Sequence, residues 1–230
     1  MNHIKNNTVI ITGSNGLVGK ILVRHLDSLG YEILELDFLN GHDLSDQEFV
    51  VNCFKENKSS HLINLFALND SITSDRDESS FLDLRLEEFE RCMNINVTSL
   101  FSVCREYIRN QKTGNIINFS SIYGLGSPRP EMYKNSEKFI GYGVSKAAVI
   151  QMTKHLAVHS APNFRVNCVV PGGIIDSQPQ EFIEEYSKNT PMNRMMEPSE
   201  ILGIVDFLLS EGSSYCTGSS YVIDGGWTAW

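Results

Sequence analysis

Strand-like and helical patterns alternate along almost the whole of this 230-residue chain. The short apolar segments typical of strands are TVIITG, YEILELD, HLINLFA, GNIINFSS, FRVNCVV and SSYVIDGG. Between them lie helical patterns such as LVGKILVRHLDSLG and PSEILGIVDFLLSE. Alternation of this kind is typical of a mostly parallel sheet that helices cover on both faces. The chain is therefore expected to fold as one α/β domain.

The charge and the cysteines narrow the function classes. The formal net charge is -9 and no cluster of Lys or Arg occurs, so we expect no nucleic-acid partner. No window approaches the length of apolar chain that crosses a bilayer, and the start resembles no signal peptide. Five widely spaced cysteines predict neither a disulfide framework nor a metal site. We expect a cytoplasmic protein with reduced thiols and no membrane partner.

The first strand-like segment runs into a glycine loop. TGSNGLVG places three glycines directly after the strand and at the start of the first helical pattern. A tight turn needs glycine, a pyrophosphate must approach bare main chain, and a helix N-terminus offers unpaired N–H groups to an anion. The loop therefore predicts a dinucleotide site. Its residues are Gly13, Ser14, Asn15, Gly16, Leu17, Val18 and Gly19.

An acidic residue follows at the distance that such a site requires. Asp37 ends the second strand-like segment, after YEILEL. A carboxylate there accepts hydrogen bonds from ribose hydroxyls and repels a 2′-phosphate, so we expect NAD rather than NADP. Two interpretations of Asp43 stay open: with Leu44 it lies near the adenine, or it serves only the start of the next helix. That helix is expected to begin with a capping box from Ser45 to Glu48.

The stretch GYGVSKAA places a tyrosine four residues before a lysine. On a helix, Tyr142 and Lys146 lie one turn apart on the same face, so the phenol and the ammonium can point into one pocket. An unperturbed tyrosine has a pKa of about 10, and a nearby ammonium together with a cationic nicotinamide can move that pKa toward neutrality. Among the eight tyrosines of the chain, Tyr142 alone has lysine at this spacing. The pair predicts a proton-transfer site.

These features follow one another in the order of a known family. The glycine loop, NINV, INFSSIYG, YGVSK and VNCVVPGGI together resemble the short-chain dehydrogenase/reductases over almost the whole chain. The resemblance implies that residues 1–230 form a single-domain Rossmann fold. Its doubly wound, mostly parallel sheet would have about seven strands, with helices on both faces. The resemblance also implies an oxidoreductase that interconverts a secondary alcohol and a ketone.

The resemblance assigns roles to individual residues. Ser121 would hold the substrate carbonyl or hydroxyl, Tyr142 would be the general acid/base, and Lys146 would hold the nicotinamide ribose and favour the phenolate. Asn96 would support a water and proton path to Lys146. Ser120 is chemically identical to Ser121 and adjacent to it, so the choice between them stays open here. Further cofactor contacts would come from Asn64, Ala67, Pro171, Gly172 and Ile174.

Three stretches depart from the usual pattern of the family. The glycines have the spacing T-G-x-x-G-x-x-G, and NLFA stands where N-N-A-G is usual. More residues than usual separate Ser121 from Tyr142, and the inserted segment SPRPEMYKNSEKF, 127–139, is expected to overhang the site and to set specificity. We expect substrate loops around 69–80, 124–139 and 172–198, because loops at the carboxyl ends of parallel strands surround the ligand.

The inserted segment and the DGGW ending most resemble bacterial oxidoreductases of flagellin-modification and nonulosonic-acid pathways. A sugar or a nucleotide-activated sugar is then the expected small-molecule substrate. A 3-oxoacyl or other small-carbonyl reductase stays open as an alternative, although more apolar residues would be expected around 172–198. A non-catalytic nucleotide-binding protein of the same fold is a second alternative, against which the intact Ser121, Tyr142 and Lys146 argue.

Two long helical patterns, the one that contains Asn96 and the one that contains Tyr142, carry apolar residues on more than one stripe. One stripe would face the sheet, which leaves the other for a second copy of the chain. We therefore expect a homodimer or a homotetramer. The residues concerned are Leu100, Phe101, Val103, Cys104, Val149, Ile150, Met152 and Leu156.

Overall fold

Six strands form one parallel sheet in the computed structural model, which describes residues 7–69, 80–133 and 137–230. The strands are β1 (Thr8–Thr12), β2 (Glu32–Leu36), β3 (His61–Asn64), β4 (Gly114–Phe119), β5 (Phe164–Pro171) and β6 (Ser220–Ile223). Their order across the sheet is β2-β1-β3-β4-β5-β6, and every neighbouring pair is parallel. The expected single-domain, doubly wound α/β fold is confirmed.

Helices connect the strands in the expected places. They are α1 (Leu17–Ser28), α2 (Gln47–Glu56), α3 (Leu86–Met93), α4 (Leu100–Asn110), α5 (Ile140–Ser160), α6 (Gln180–Lys188) and α7 (Leu202–Leu209). A π-helical segment, Asn94–Ser99, joins α3 to α4 and contains Asn96. The long helical pattern of the sequence therefore forms a continuous helix that is wider over this segment. Short π segments of this kind are frequent at functional sites.

Side chains on the strands alternate between two apolar layers, as the two-residue period of a strand requires. One layer packs against α2, α4 and α5, and the other packs against α1 and α7. Members of the first include Ile10, Leu62, Ile116, Val166, Phe54 and Val103. Members of the second include Val9, Ile11, Ile63, Ile117, Leu22 and Val205. Helices on both faces leave the two ends of the sheet for binding.

The described sheet has six strands, whereas about seven were expected. After β2 the chain enters a 3₁₀ turn, Phe38–Asn40, and then passes Gly41, whose φ of 83° is left-handed. Asp46 already caps α2, accepting hydrogen bonds from the main-chain N–H of Glu48 and Phe49. The residues between β2 and α2 are thus taken up by turns, which leaves no length for another strand at this edge.

The start of α2 also differs from the expected capping box. The cap is Asp46 rather than Ser45, because the Asp46 carboxylate accepts from Glu48 N at 2.9 Å. Ser45 instead donates its hydroxyl to Asp43 at 2.6 Å.

Beyond the carboxyl ends of β4 and β5 lies a third apolar cluster, which we call the aromatic lobe. Its buried members are Ile122, Met132, Tyr186, Met195 and Trp227, with Tyr123, Tyr133 and Phe182 packed around them. Within the expected substrate loop at 172–198, residues 180–188 form α6, because Phe182, Ile183 and Tyr186 turn one side of it into the lobe.

The other two expected substrate loops are described only in part. Residues 70–79 of the 69–80 loop and residues 134–136 of the 124–139 loop lie outside the described residues. Within the part of the chain that the structure does describe, none of the helices has both the length and the apolar character needed to cross a bilayer.

Candidate active site

The glycine loop is tightly folded between β1 and α1. Gly13 has a φ of 72°, and a Cβ there would come within 2.6 Å of the Phe66 nitrogen. A Cβ on Gly19 would meet the Gly13 oxygen at 2.3 Å. Gly16 is the N-cap of α1, which has no side-chain cap and no acidic residue in its first turn. The loop therefore leaves a bare main-chain surface at a helix N-terminus, which suits an anionic group.

The remaining loop residues lie around that surface. The Ser14 hydroxyl is buried and is one of a few buried polar atoms that find no hydrogen-bond partner within the described chain. Asn15 donates its main-chain N–H to Asp37 and its side-chain amide to Asn40. Leu17 is 38% exposed at the start of α1, and Val18 is packed against the core. An orphan hydroxyl in a glycine loop fits a pyrophosphate cradle.

Asp37 lies at the end of β2, as predicted, and faces the glycine loop. Its carboxylate accepts from Asn15 N at 2.9 Å and from Leu39 N at 2.9 Å. Only 8% of the residue is exposed. These bonds fix the direction of the carboxylate toward the loop, which is the position that a ribose contact requires.

Asp43 and Leu44, for which an adenine contact stays a prediction, also make contacts within the chain. The Asp43 carboxylate accepts from both the main-chain N–H and the hydroxyl of Ser45, and these bonds lower the pKa of the carboxyl. The Leu44 side chain is buried in the apolar layer under α2. The structure therefore favours the second interpretation of Asp43, in which it serves the turn before α2.

Asn64 takes part in a polar network inside the sheet. It accepts a hydrogen bond from the Thr12 hydroxyl at 3.1 Å and donates to Asn118 at 2.9 Å, and Asn118 in turn donates to Thr153. The Asn64 side chain is thus engaged in the interior, which leaves its main chain for the predicted cofactor contact. Ala67, three residues further on, is half-buried.

Ser121, Tyr142 and Lys146 come together at the end of β4. The Ser121 side chain lies close enough to the Tyr142 phenol to act on its pKa. The Lys146 ammonium nitrogen lies 5.6 Å from the centroid of the Tyr142 ring and donates to the Phe119 main-chain oxygen at 2.9 Å. Ser120 donates its hydroxyl to the Lys146 main-chain oxygen instead, which decides between the two adjacent serines in favour of Ser121.

Burial dominates the ionisation of this cluster. It raises the pKa of Tyr142 to about 12, although Ser121 opposes the shift. Burial also lowers the pKa of Lys146 to about 8. In this arrangement desolvation disfavours both charged forms, and the lowering of the phenol pKa by Lys146 together with a cationic nicotinamide stays a prediction.

Asn96 lies in the π segment, and its side chain binds the loop after β3. It accepts from Leu68 N at 2.6 Å and donates to Leu68 O at 3.0 Å. It also donates to the Ser145 hydroxyl at 3.0 Å, next to Lys146 along α5. The side chain of Asn96 therefore holds Leu68 and α5 in place. The water and proton path predicted toward Lys146 would have to use the main chain of Asn96.

The stretch after β5 forms the opposite wall of the site. Pro171 ends β5, and Gly172 donates its N–H to Ile223 O at 2.8 Å. Gly173 donates its N–H to the Tyr186 hydroxyl at 2.6 Å, while Ile174 pairs with Met196. A small cavity of about 60 Å³ opens beside Gly172 and Gly173.

Comparison with known proteins agrees with this geometry. Residues 22–228 match the family described as enoyl-(acyl carrier protein) reductase. The solved structure of a short chain dehydrogenase from Leptospira borgpetersenii with bound NAD+ superposes with a TM-score of 0.87 at 30% identity, covering 99% of this chain and 94% of that one. This chain belongs to the short-chain dehydrogenase/reductase family.

Two curated relatives illustrate the range of this family. The 3-oxoacyl-[acyl-carrier-protein] reductase FabG of Rickettsia bellii is 31% identical, with 97% of each chain covered. The post-translational flagellin modification protein A of Campylobacter coli is 27% identical, with 97% of this chain and 99% of the relative covered. Like other short-chain dehydrogenases, the present protein is therefore an oxidoreductase.

Several residues around the short-chain dehydrogenase site were missed by sequence reasoning. Tyr123 and Tyr133 share a hydrogen bond of 2.7 Å between their hydroxyls. The Lys138 ammonium lies 4.8 Å from the centroid of the Tyr142 ring. Ser145 donates its hydroxyl to the Tyr142 main-chain oxygen at 2.8 Å. Ser145 lies three residues after Tyr142 on α5, so helical spacing was the available signal for it. Lys138 precedes the start of α5 and had no such signal.

Proposed function

We propose that this short-chain dehydrogenase interconverts a secondary alcohol and a ketone of a sugar, or of a nucleotide-activated sugar, with NAD(H). The observation that carries the reaction class is the position of the Lys146 ammonium, 5.6 Å from the centroid of the Tyr142 ring, with Ser121 close enough to the phenol to act on its pKa. A buried phenol that has a neighbouring amine is suited to general acid/base work.

The proton transfer follows from the groups at the site. In the direction of reduction, the Tyr142 hydroxyl gives its proton to the developing alkoxide, and in oxidation the phenolate takes the proton from the alcohol. Ser121 lies within hydrogen-bond reach of the same oxygen and orients it. Because burial raises the pKa of Tyr142, the phenol keeps its proton until a substrate oxygen accepts it.

The glycine loop, Asp37 and Lys146 would hold the cofactor. The bare main chain of Gly13 and Gly19 and the orphan hydroxyl of Ser14 fit a pyrophosphate. A bound nicotinamide supplies or accepts the hydride. Lys146 would donate to the ribose next to the nicotinamide, and the wall from Pro171 to Ile174 would lie along that ring.

The charge of Asp37 supports NAD over NADP. Its carboxylate is directed at the loop by two main-chain hydrogen bonds, so it has little freedom to turn away from a 2′-phosphate. The sequence FLNGHD that follows carries no Arg or Lys to compensate. A ribose 2′-hydroxyl, which can donate to the carboxylate, is the better partner.

A polyhydroxylated substrate is supported by the hydroxyl groups on the substrate side. The hydrogen-bonded pair of Tyr123 and Tyr133 lies next to Tyr142, and hydroxyls of this kind suit a sugar better than an acyl chain. The likeness to a flagellin modification protein favours the same choice. The likeness to FabG keeps the 3-oxoacyl reductase as the second candidate.

The cellular setting belongs to the same proposal. All five cysteines are free thiols, and four of them are buried. Free thiols are typical of a reducing compartment, which supports a cytoplasmic enzyme.

A substrate panel tests the proposal. Purified enzyme with NAD(H) would be assayed by absorbance at the nicotinamide band against hexoses, N-acetylated sugars and uridine-diphosphate sugars, and against acetoacetyl-coenzyme A. We expect turnover with at least one sugar and no more than trace turnover with the thioester. Tyr142→Phe serves as the blank. Efficient thioester reduction with no activity on any sugar would make the 3-oxoacyl reductase the correct assignment.

A further inference from the structure

Arg129 lies in the inserted segment and is held by neutral partners. Its guanidinium carbon is 5.1 Å from the centroid of the Trp227 ring, and it donates a hydrogen bond to the Asn189 side-chain oxygen. Among the described residues, no carboxylate lies within ion-pair distance of it. Glu185 accepts from Asn189 at 3.4 Å, but its other oxygen is paired with Lys188 at 3.0 Å.

The other arginine of this region is neutralised. Arg194 donates from two nitrogens to the two carboxylate oxygens of Glu200, each at 2.6 Å. In a chain of formal charge -9, carboxylates are not scarce, yet none in the described part of the chain pairs with the half-buried Arg129. Because a partly desolvated charge without a counter-ion is costly, this arrangement points to a ligand that supplies the negative charge.

A chain of aromatic contacts connects Arg129 to the reaction site. Trp227 is stacked on Tyr186, with ring centroids 4.4 Å apart. The Tyr186 hydroxyl accepts from Gly173 N on the wall expected beside the nicotinamide. Two stacked rings, Trp227 and Tyr186, therefore connect Arg129 to the wall at Gly173.

The chemistry of the side chain limits what it can bind. A guanidinium presents five N–H donors in a planar fork that matches the paired oxygens of a carboxylate or a phosphate. One donor is used on Asn189, and the indole below holds the plane of the fork. Bidentate charge-assisted hydrogen bonds of this kind are among the strongest in proteins.

We infer that Arg129 binds an oxyanion, a phosphate or a carboxylate, that the substrate carries at a distance from its reacting carbon. The inference rests on the proposed function and narrows the substrate class, since a neutral sugar would supply no counter-ion to Arg129. The inserted segment would then select acidic or nucleotide-activated sugars over neutral ones.

Calorimetric titration of the NADH-saturated enzyme tests this, because the bound dinucleotide keeps the probes away from the glycine loop. The probes are uridine diphosphate, N-acetylglucosamine 1-phosphate, glucuronate and neutral N-acetylglucosamine. We expect at least one oxyanion probe to bind tenfold or more tightly than N-acetylglucosamine. The phosphate and glucuronate arms distinguish the two oxyanion classes.

Variants assign the preference to the side chain. Arg129→Gln should lose the oxyanion preference by tenfold or more, and Arg129→Lys should retain part of it because it keeps the charge without the fork. Arg24→Gln, an exposed arginine on α1, is the matched control and should bind every probe as the wild type does. NADH affinity and thermal midpoint establish that each variant is folded.

The results separate this inference from the proposed function. Equal binding of oxyanion and neutral probes by the wild type, or an unchanged preference in Arg129→Gln, would overturn the role of Arg129 even if sugars are turned over. Arg129-dependent binding of an oxyanion together with no turnover of any sugar would uphold the site and overturn the sugar substrate.

Discussion

Lys146 lies beside Tyr142, with its ammonium nitrogen 5.6 Å from the centroid of the phenol ring, yet burial shifts both groups toward their neutral forms. The pKa of the phenol rises to about 12 and that of the ammonium falls to about 8. Desolvation therefore determines the pKa values of the pair more than the attraction between the two groups does. A charge brought to the site would change both pKa values strongly.

Replacing Tyr142 with Phe should remove turnover and leave cofactor binding nearly intact. The hydroxyl acts in proton transfer, where a positioned group contributes roughly 10²–10⁴-fold to the rate. Steady-state kinetics on the substrate found in the panel and NADH titration measure the two effects. Tyr215→Phe, at a fully exposed tyrosine, is the control. Wild-type kcat in Tyr142→Phe would exclude the phenol as the general acid/base.

Cofactor affinity should depend on pH through Lys146. Below its pKa of about 8 the side chain is an ammonium that can donate to the ribose, and above that value it loses its charge and one N–H. We expect the NADH Kd to rise as pH increases through about 8. Lys146→Ala should bind NADH more weakly and remove this dependence, whereas Lys154→Ala, exposed on the same helix, should keep it. A flat profile in the wild type would contradict the ribose contact.

The sequence predicted those parts of the site that local spacing controls. Gly13, Gly16 and Gly19 lie in one turn, and Tyr142 and Lys146 lie one helical turn apart, so each set follows from a single element. Asp37 was placed at a strand end for the same reason. The choice between Ser120 and Ser121 could not be made, because it depends on which serine meets α5 across the end of β4.

The remaining parts depend on contacts between segments far apart in the chain. Asn64 and Asn118 are 54 residues apart, and their bond inside the sheet is visible only once β3 and β4 are paired. Tyr186 lies in the stretch that was expected to be a substrate loop. Its burial comes from contacts with Trp227 and Gly173, which the sequence does not show. The burial that raises the pKa of Tyr142 could not be predicted, since the sequence carries no measure of desolvation.

Asn96→Ala should destabilise the fold, because it leaves the main-chain N–H and oxygen of Leu68 without their buried partner. Each unsatisfied group costs about 1–3 kcal/mol. Urea unfolding measures the free energy change. Asn94→Ala, exposed in the same π segment, should stay within about 0.5 kcal/mol of the wild type. Equal losses in the two variants would mean that the Leu68 bonds contribute little.

The oligomeric state remains a prediction, and the structure changes which residues support it. Of the residues expected on the apolar stripes, Val103, Cys104 and Val149 are buried in the chain's own core. Phe101 and Val158 stay 44% and 75% exposed on α4 and α5. We expect sedimentation to give a dimer or tetramer, and Phe101→Asp to weaken it. A monomer of 25.9 kDa at micromolar concentration would contradict the prediction.

Asp37 should make the enzyme prefer NAD over NADP by at least tenfold, which is about 1.4 kcal/mol of differential binding. One like-charge contact with a 2′-phosphate can supply that difference. The carboxylate also accepts from Asn15 N and Leu39 N, so removing it altogether would loosen the glycine loop as well as discharge it. Asp37→Asn removes the charge and keeps one acceptor oxygen, so it retains one of these two bonds and disturbs the loop less than Asp37→Ala does.

The measurement is kcat/KM with each cofactor for the wild type, Asp37→Asn and Asp37→Ala. We expect Asp37→Asn to narrow the preference mainly by improving NADP, and Asp37→Ala to weaken NAD as well, because the loop loses the Asn15 bond. Asp43→Asn should leave the ratio unchanged, since the Asp43 carboxylate accepts from Ser45 in the turn before α2. Equal values for the two cofactors in the wild type would mean that the 2′-phosphate reaches a position away from Asp37.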